Sequence, residues 1–239
     1  MEKVREAVIL AGGFGTRLRS VVSDLPKPMA QVTGKPFLSL LLDYLASSGV
    51  QRVILSVGYK HESISGRFGT SYSSMELSYV VEEKPLGTGG ALKRSLMAAR
   101  TGDILVLNGD SFLRFDFSSF AAFHFLNQSS ITMAVKRMED FDRYGTVDLE
   151  GDKVTGFTEK GFTKSGYINA GVYLLDVDRS GLLDVQEDCF SFERDFLQGR
   201  RGEGSVYAFK CNDYFIDIGL PEDYMRAQKE LSNLKGGIR

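Results

Sequence analysis

Short apolar runs alternate with segments of helical spacing over roughly the first 140 residues, and this alternation restricts the fold more than any other feature. The runs have the length of strands and are bounded by turn residues: Ala7–Leu10, Arg52–Val57, Leu77–Val81, Ile104–Leu107 and Ile131–Val135. Between them, apolar residues recur at helical intervals over 37–45 and 92–99. This order favours a sheet that helices cover on both faces. The sequence therefore predicts an α/β, Rossmann-like fold with a mixed, mostly parallel sheet.

The pattern changes after about residue 140, where shorter strands separated by turns replace the alternation. The expected strands are Thr146–Leu149, Lys153–Glu159, Tyr167–Leu175 and Val206–Phe209. SFERDFL (191–197) and PEDYMRAQKELSNL (221–234) have helical spacing. Because no linker or repeat separates the two parts, we expect one domain over 1–239, with halves of about 1–140 and 141–239 built on the same sheet.

A glycine-rich loop follows the first strand, in the segment AVILAGGFGTRLRS (7–20). Gly12, Gly13 and Gly15 let backbone N–H groups approach an anion without interference from a Cβ atom. Arg17 adds a planar guanidinium suited to phosphate, which a simple tight turn would not need. The loop lacks the Gly-Lys-Ser/Thr ending of a P-loop, and Leu18 replaces the third glycine of a dinucleotide-binding loop. We therefore expect a phosphate-binding loop of another kind.

Lys27 lies between two prolines in LPKPMAQV (25–32). Proline restricts the backbone on both sides, so the ammonium group extends from a stiff segment. Taken alone, this pattern is also typical of a surface lysine in a turn. Next to the glycine loop, it predicts a second phosphate contact.

Two aspartates are associated with apolar strands at distant points of the chain. Asp110 comes just after the predicted strand Ile104–Leu107 in ILVLNGDSF (104–112), where side chains meet the ligand cleft of an open α/β sheet. Asp217 lies in the apolar segment DYFIDIGL (213–220), where an unpaired carboxylate would be costly. Either could cap a helix, but together with a phosphate-binding loop they favour Mg²⁺, which takes carboxylate and phosphate oxygens.

Composition argues against several other classes of protein. A net charge of −2 provides no general attraction for nucleic acid or a membrane surface. The apolar run near the N-terminus is too short for a signal peptide or a membrane span, so we expect a cytoplasmic protein. Cys189 and Cys211 lack CxxC spacing and are expected to be reduced. Whether the chain forms a homo-oligomer is left open.

Taken together, the motifs resemble those of the sugar-1-phosphate nucleotidyltransferase family. The matching elements are GGFGTRL (12–18), PKP (26–28), NGD (108–110), EK (159–160), NAG (169–171) and Asp217. They occur in the family's order and span residues 6 to about 230. The resemblance implies that a nucleoside triphosphate reacts with a sugar 1-phosphate to release pyrophosphate, with Mg²⁺ as cofactor. Gly161 departs from the family pattern, in which proline often follows the Glu-Lys pair.

The resemblance also implies roles for the matching residues. Arg17, Lys27 and Asp110 would be catalytic, and Asp110 and Asp217 would hold the metal. Residues expected to contact the nucleotide are Leu10, Gly12, Gly13, Gly15, Thr16, Arg17, Lys27, Glu82, Gly87, Thr88 and Asn108. Residues expected to contact the sugar phosphate are Gly145, Glu159, Lys160, Asn169, Ala170 and Gly171.

The segment EEKPLGTGGAL (82–92) resembles the base-reading loop of guanylyltransferases in this family. Glu82, or Glu83 if the register differs by one, can accept both adjacent N–H donors of guanine. Gly87 and Gly89 are expected to let the flat ring approach the backbone. The base would therefore be guanine and the nucleotide GTP.

Three further segments, FDRYGTV (141–147), FSFERDFL (190–197) and DYFIDIGLPEDY (213–224), are similar to guanylyltransferases that use a heptose 1-phosphate for bacterial surface glycans. The expected substrates are thus GTP and a heptose 1-phosphate. The alternatives are a mannose-1-phosphate guanylyltransferase, a uridylyltransferase for a hexose or amino-sugar phosphate, and a catalytically inactive nucleotide-sugar sensor.

Overall fold

The computed structural model describes residues 4–13, 15, 18, 25–200 and 206–233. Within these residues, one mixed sheet contains ten strands, and two small two-stranded sheets lie apart from it. In the described part of the chain, no helix is long and apolar enough to cross a membrane.

The elements are as follows. The strands of the first half are β1 (Glu6–Leu10), β2 (Gln31–Val32), β3 (Lys35–Pro36), β4 (Arg52–Val57), β5 (Ser71–Tyr72), β6 (Met75–Val81), β7 (Asp103–Asn108), β8 (Ser111–Leu113) and β9 (Ile131–Phe141). Those of the second half are β10 (Thr146–Glu150), β11 (Lys153–Thr158), β12 (Thr163–Asp176), β13 (Val206–Cys211) and β14 (Phe215–Asp217). The α-helices are α1 (Phe37–Ser47), α2 (His61–Phe68), α3 (Gly87–Leu96), α4 (Phe117–Leu126) and α5 (Pro221–Asn233). Lys27–Met29 and Gln198–Arg200 form 3₁₀ turns, and Phe192–Leu197 forms a π-helical turn.

The large sheet has the strand order β10-β11-β13-β9-β12-β7-β1-β4-β6-β5. Most of its parallel pairing lies in the half that contains β7, β1, β4 and β6. Strands β7, β1, β4 and β6 are parallel neighbours, and β9 pairs with β13 in parallel. The remaining pairings are antiparallel. Leu10 at the end of β1 pairs with both Ser56 and Asn108. The carboxyl ends of three strands therefore meet at one edge, where open α/β sheets bind ligands.

Apolar side chains cover both faces of the central strands. Ile9 of β1 belongs to the cluster that includes Leu41 of α1, whereas Val8 belongs to the cluster that includes Leu92 of α3. Successive side chains of a strand point to opposite faces, so a strand between two helical layers must be apolar throughout. This requirement explains the continuous apolar runs of the sequence.

A buried ion pair joins β1 to β4. Glu6 is 3% exposed, and its Oε1 accepts a hydrogen bond from Arg52 Nη1 at 2.5 Å. Its Oε2 accepts from the backbone N–H groups of Arg100 and Thr101, at 2.7 and 2.6 Å. Burial raises the pKa of Glu6, but the bonds from Arg52 and the two amides outweigh it, so the pKa lies below its usual value of 4.5. Glu6 is therefore charged and fully engaged.

Several elements differ in extent from the predictions. β9 continues beyond Val135 to Phe141 because it pairs with the long β12 as far as Thr163. SFERDFL forms a π-helical turn instead of an α-helix, and Ser191 caps it by accepting a hydrogen bond from Arg194 N at 3.1 Å.

Candidate active site

A cavity of about 340 Å³ opens where β1 and β7 end; we call it the glycine-loop cavity. It is lined by Leu10, Ala11, Gly12, Gly13, Gly15, Lys27, Pro28, Glu82, Pro85, Gly87, Thr88, Ala91, Asn108, Gly109 and Asp110. The lining includes all the predicted nucleotide contacts that the structure describes. Thr16 and Arg17 lie outside the described residues.

The backbone of the glycine loop lies directly against two of the predicted functional side chains. A Cβ atom on Gly12 would lie 2.3 Å from Glu82 Oε1. Gly15 has a φ of +60°, and a Cβ there would lie 2.7 Å from Lys27 Cγ. By contrast, a Cβ on Gly13 would meet nothing within 4 Å among the described atoms. Gly15 is thus required by its positive φ, a side chain on Gly12 would displace the Glu82 carboxylate, and Gly13 leaves backbone accessible to a ligand.

Lys27 enters the cavity from the 3₁₀ turn that follows Pro26. Met29 N and Ala30 N donate to the carbonyl oxygens of Pro26 and Lys27, at 2.8 and 2.9 Å, and fix this turn. The Lys27 side chain is 14% exposed, and its Nζ donates to Asp110 Oδ2 at 2.9 Å. Two residues predicted from separate motifs are therefore in direct contact.

The small sheet of β8 and β14 brings Asp217 close to Asp110. This antiparallel pairing sets Asp217 opposite Ser111, and Ile218 N donates to Asp110 O at 2.9 Å. Asp217 Oδ1 accepts from Gly219 N at 2.6 Å. Burial, followed by the negative charge of Asp110, raises the pKa of Asp217 to about 6. The charge of Asp110 is therefore close enough to disfavour ionisation of Asp217.

This pair of carboxylates fits a divalent cation. Hard cations prefer carboxylate oxygens, and a bound cation would remove the repulsion between Asp110 and Asp217. Within the described ranges, no cluster of three or more His, Cys, Asp and Glu side chains provides a fuller metal site. A cation held here would therefore complete its coordination with water and substrate oxygens.

Glu82 follows β6 and is half-buried beside the glycine loop. Its Oε1 accepts from Ser56 Oγ at 3.2 Å and its Oε2 accepts from Leu86 N at 3.3 Å, both long bonds. Burial raises its pKa above the usual value of 4.5. Glu83 is exposed and does not line the glycine-loop cavity. The geometry thus favours Glu82 over Glu83 as the residue that faces a ligand.

The glycines of the GTGG segment pack mainly against the loop 188–190. A Cβ on Gly89 would lie 2.2 Å from Phe190 Cε2, and one on Gly90 would lie 2.0 Å from Asp188 O. Gly89 does not line the cavity, so its missing side chain makes room for Phe190 and not for a flat ligand ring. Gly87 does line the cavity, with a φ of +69°.

Asn108 ends β7 at the floor of the glycine-loop cavity. Its Oδ1 is buried and has no hydrogen-bond partner among the described residues. A Cβ on Gly171, which has a φ of +71°, would lie 2.7 Å from Asn108 Nδ2. The missing side chain of Gly171 therefore leaves room for the Asn108 amide, whose Oδ1 has an unused acceptor among the described residues.

A second cavity, of about 510 Å³, lies in the second half of the chain; we call it the Lys160 cavity. It is lined by Tyr144, Gly145, Thr146, Val147, Phe157, Thr158, Glu159, Lys160, Asn169, Glu193, Arg194 and Gln198. Four of the predicted sugar-phosphate contacts lie here: Gly145, Glu159, Lys160 and Asn169. Ala170 and Gly171 do not, because Ala170 is buried in the core and Gly171 packs against Asn108.

Sequence reasoning missed the contribution of the π-helical turn to this cavity. Glu193 and Arg194 of this turn, and Gln198 just after it, line the cavity, although FSFERDFL had suggested only a helix and a resemblance to heptose 1-phosphate guanylyltransferases. The sequence did contain a signal for these cavity residues, since Glu193 and Arg194 lie between the apolar residues Phe192 and Phe196. Phe192 and Phe196 are buried, so the residues between them must face elsewhere.

The loop 142–145 contributes Tyr144 and Gly145 to the wall of the Lys160 cavity, and several contacts hold it in place. Arg143 donates to both carboxylate oxygens of the buried Asp223, at 2.6 and 3.2 Å. Tyr144 packs edge-on against Phe215, and burial followed by the charge of Asp217 raises its pKa to about 12. A Cβ on Gly145 would lie 2.6 Å from Thr158 O. These contacts hold the backbone of Gly145 at the cavity wall.

Comparison with known proteins shows to which family the chain belongs. The model of the nucleotidyl transferase family matches residues 6–233. The chain belongs to this family. The matched range includes both cavities and all the motifs from which the resemblance was predicted.

Among nucleotidyl transferases, the chain is 44% identical over 228 residues to D-glycero-alpha-D-manno-heptose 1-phosphate guanylyltransferase of Aneurinibacillus thermoaerophilus, covering 95% of this chain and 99% of that one. It is 47% identical over 220 residues to the enzyme of the same name from Campylobacter jejuni, covering 92% and 96%. A crystal structure of HddC from Yersinia pseudotuberculosis complexed with GMP-PN superposes with a TM-score of 0.85 at 39% identity, covering 95% of this chain and 100% of that one.

These similarities confirm the predicted family and the mixed α/β fold of a nucleotidyl transferase. The roles of individual residues stay predictions. The structure contributes their arrangement: Lys27, Asp110 and Glu82 line one cavity, and Glu159 and Lys160 line the other.

Proposed function

We propose that this chain transfers GMP from GTP to D-glycero-α-D-manno-heptose 1-phosphate, giving GDP-heptose and pyrophosphate. The observation that carries the proposal is the contact between Lys27 and Asp110 in the glycine-loop cavity, 2.9 Å apart, with Asp217 beside them. This cluster is suited to a crowded phosphate group. The similarity to two heptose 1-phosphate guanylyltransferases over nearly the whole chain supports the choice of substrates.

The nucleophile of this reaction needs no general base. A phosphate oxygen of a sugar 1-phosphate is largely ionised at pH 7 because its second pKa is about 6. The chain therefore has to position the reactants in line and neutralise their charge. The described lining of the two cavities accordingly contains lysine and carboxylates but no histidine.

Each part of GTP has a counterpart in the glycine-loop cavity. The amides of the loop, together with Arg17, would hold the phosphates that leave as pyrophosphate. Lys27 would exchange its bond to Asp110 for one to the α-phosphate, where negative charge builds up. Glu82 would accept the N1–H and N2–H donors of guanine with its two oxygens. Uracil offers only one such donor, flanked by carbonyl oxygens that a carboxylate repels.

The sugar phosphate would occupy the Lys160 cavity. Lys160 would bind its phosphate, and Glu159 and Asn169 would bind hydroxyl groups of the sugar. The backbone of Gly145, fixed against Thr158, would limit the space for the ring.

Asp110 and Asp217 would hold Mg²⁺. When bound, Mg²⁺ supplies positive charge that draws the two reacting phosphates together.

Pyrophosphate release over a panel of substrates tests the proposal. The panel combines GTP, ATP, CTP, UTP and dTTP with the 1-phosphates of heptose, mannose, glucose and N-acetylglucosamine. We expect GTP with the heptose 1-phosphate to have the highest kcat/KM, by roughly tenfold or more, which corresponds to about 1.4 kcal/mol of transition-state binding.

The matched control is Asp110→Asn, purified in the same way, which reports any contaminating activity. A higher kcat/KM for mannose 1-phosphate, or for UTP, would replace the proposed substrates. If no pair yields pyrophosphate while GDP-sugars still bind, the chain is a sensor and not an enzyme.

A further inference from the structure

The two cavities are connected by a continuous chain of side-chain hydrogen bonds. It begins at Thr88, which lines the glycine-loop cavity, and ends at Asn169, which lines the Lys160 cavity. Thr88 Oγ1 donates to Glu193 Oε2 at 2.7 Å, across 105 positions of sequence. Glu193 Oε1 accepts from Tyr173 Oη at 3.1 Å, and Tyr173 Oη accepts from Asn169 Nδ2 at 2.6 Å. We call these four residues the Thr88–Asn169 relay.

The glycine-loop end of the relay is bound firmly to the segment that carries Glu193. Gly89 N donates to Phe190 O at 2.9 Å, and Phe190 N donates to Leu86 O at 3.0 Å. Phe192 N also donates to Thr88 Oγ1, at 2.9 Å. The glycines of the GTGG segment permit this close packing because a Cβ on any of the three would overlap the 188–190 loop. A shift of residues 86–89 must therefore move Glu193 with it.

A buried tyrosine forms the centre of the relay. Tyr173 is fully buried, and burial together with the charge of Glu193 keeps the pKa of its hydroxyl well above 10. The hydroxyl therefore remains a neutral donor to Glu193 at physiological pH. Tyr173 lines neither cavity, so it touches neither substrate.

The Lys160-cavity end of the relay fixes the orientation of an amide. Asn169 Nδ2 donates to Tyr173, while Asn169 Oδ1 accepts from Gly171 N at 2.9 Å. The pairing of β12 with β9 shifts register between Asn169 and Tyr173, so the β9 ladder is interrupted between these two residues. The direction of the Asn169 amide is thus set by Gly171 N and by the Tyr173 hydroxyl, and the second of these bonds connects it to Glu193.

We propose that Tyr173 is a positioning residue that, together with Glu193 at the wall of the Lys160 cavity, couples the two cavities, so that a nucleotide in the glycine-loop cavity raises the affinity of the Lys160 cavity for the sugar phosphate. This inference rests on the proposed function for the identity of the two ligands. The nucleotide contacts the loop 82–88, residues 86–89 carry the displacement to Glu193, and Tyr173 passes it to Asn169. Such coupling is reciprocal, so the sugar phosphate raises nucleotide affinity by the same factor.

The test is a binding cycle with guanosine 5′-(α,β-methylene)triphosphate, whose bridging carbon prevents transfer of GMP. Titration calorimetry gives the Kd of the sugar 1-phosphate with and without a saturating amount of this analogue. The ratio of the two values is the coupling factor, which we expect to be about fivefold or more in the wild type. The sugar 1-phosphate used is the one that the wild type consumes fastest, so a wrong sugar assignment changes the ligand and not the test.

Tyr173→Phe removes the central hydroxyl without touching a substrate, and we expect its coupling factor to fall close to 1. Tyr44→Phe is the matched control, because it also deletes a buried tyrosine hydroxyl, the one that donates to Phe115 O. A general loss of stability would affect both variants and would leave the coupling factor unchanged.

Thr88 provides a second test should Tyr173→Phe fold poorly. Thr88→Ser keeps the hydroxyl and should keep the coupling factor, whereas Thr88→Val should lose it. A wild-type factor of 1, or an undiminished factor in Tyr173→Phe or Thr88→Val, would overturn the inference. Neither result affects the proposed reaction, which the pyrophosphate panel tests separately.

Discussion

Replacing Glu82 with glutamine should weaken the use of GTP more than that of any other nucleotide. The carboxylate already accepts two bonds, but at 3.2 and 3.3 Å both are long, so its acceptor capacity is largely free for guanine. Glutamine keeps one oxygen and turns the other into a donor, which would face a donor of the base. The loss is about one hydrogen bond to a charged group, or about 1.5–3 kcal/mol.

That free energy corresponds to a decrease of roughly 10- to 100-fold in kcat/KM for GTP. The assay is pyrophosphate release at limiting nucleotide and saturating sugar phosphate, with GTP and UTP measured on the same preparation. Glu83→Gln is the matched control, because that side chain is exposed and lies outside the cavity lining. Equal losses for GTP and UTP in Glu82→Gln, or the same loss in Glu83→Gln, would refute the reasoning.

The pKa of Glu82 adds a second signature. Because burial raises this pKa above 4.5, the carboxylate should take up a proton at a higher pH than an ordinary glutamate. The kcat/KM for GTP should therefore fall on acidification in the wild type before that of Glu82→Gln does. A raised folded-state pKa also means that the ionised group opposes folding at neutral pH, so the Tm of Glu82→Gln should equal or exceed that of the wild type.

Three other changes have defined outcomes. Asp110→Asn should lower kcat by at least ~10²-fold while circular dichroism shows an intact fold, the scale of losing one transition-state electrostatic contact; normal turnover at limiting Mg²⁺ would remove Asp110 from the site. Arg17→Lys should slow both synthesis and the reverse, pyrophosphate-consuming reaction by roughly tenfold, since the planar guanidinium is lost; unchanged rates would mean that the loop is only a turn. Glu6→Gln should lower the free energy of unfolding by about 2 kcal/mol or more at pH 7, and by more than Glu76→Gln does, because Glu76 is exposed where it binds the same Arg52 side chain. Because the pKa of Glu6 is depressed below 4.5, this difference from wild type should shrink as the pH falls below that value, and a pH-independent difference in urea titrations would contradict it.

The glycine-loop cavity could be predicted well because its residues follow strands. Gly12 and Asp110 each come two residues after the end of a strand, β1 and β7, and neighbouring parallel strands bring their carboxyl ends together. Asp217 was recognisable as a carboxylate in an apolar segment. The pairing that positions Asp217 is with β8, a strand of three residues that is too short to be recognised from hydrophobic periodicity.

The connection between the cavities could not be predicted in this way. Glu193 meets Thr88 only because the chain crosses the sheet through β9 and β12 and then returns along the 188–193 segment. No local pattern encodes such a contact. For the same reason, the function of Gly89 was misread: a glycine has the same sequence signature whether the neighbour that needs its space is a ligand or Phe190.

The position of β12 has a consequence for how this chain reaches its native state. Val172–Asp176 form the antiparallel neighbour of β7, so the central parallel strands have an open edge until this late segment has been synthesised. An emerging chain of residues 1–140 would expose the hydrogen-bonding groups of β7, whose residues Ile104–Leu107 are apolar, and such an edge promotes aggregation. Ladder pairs so distant in sequence also imply slow folding. The two halves are therefore obligate partners in biogenesis, and truncation before β12 would yield an insoluble fragment and not a minimal GTP-binding module.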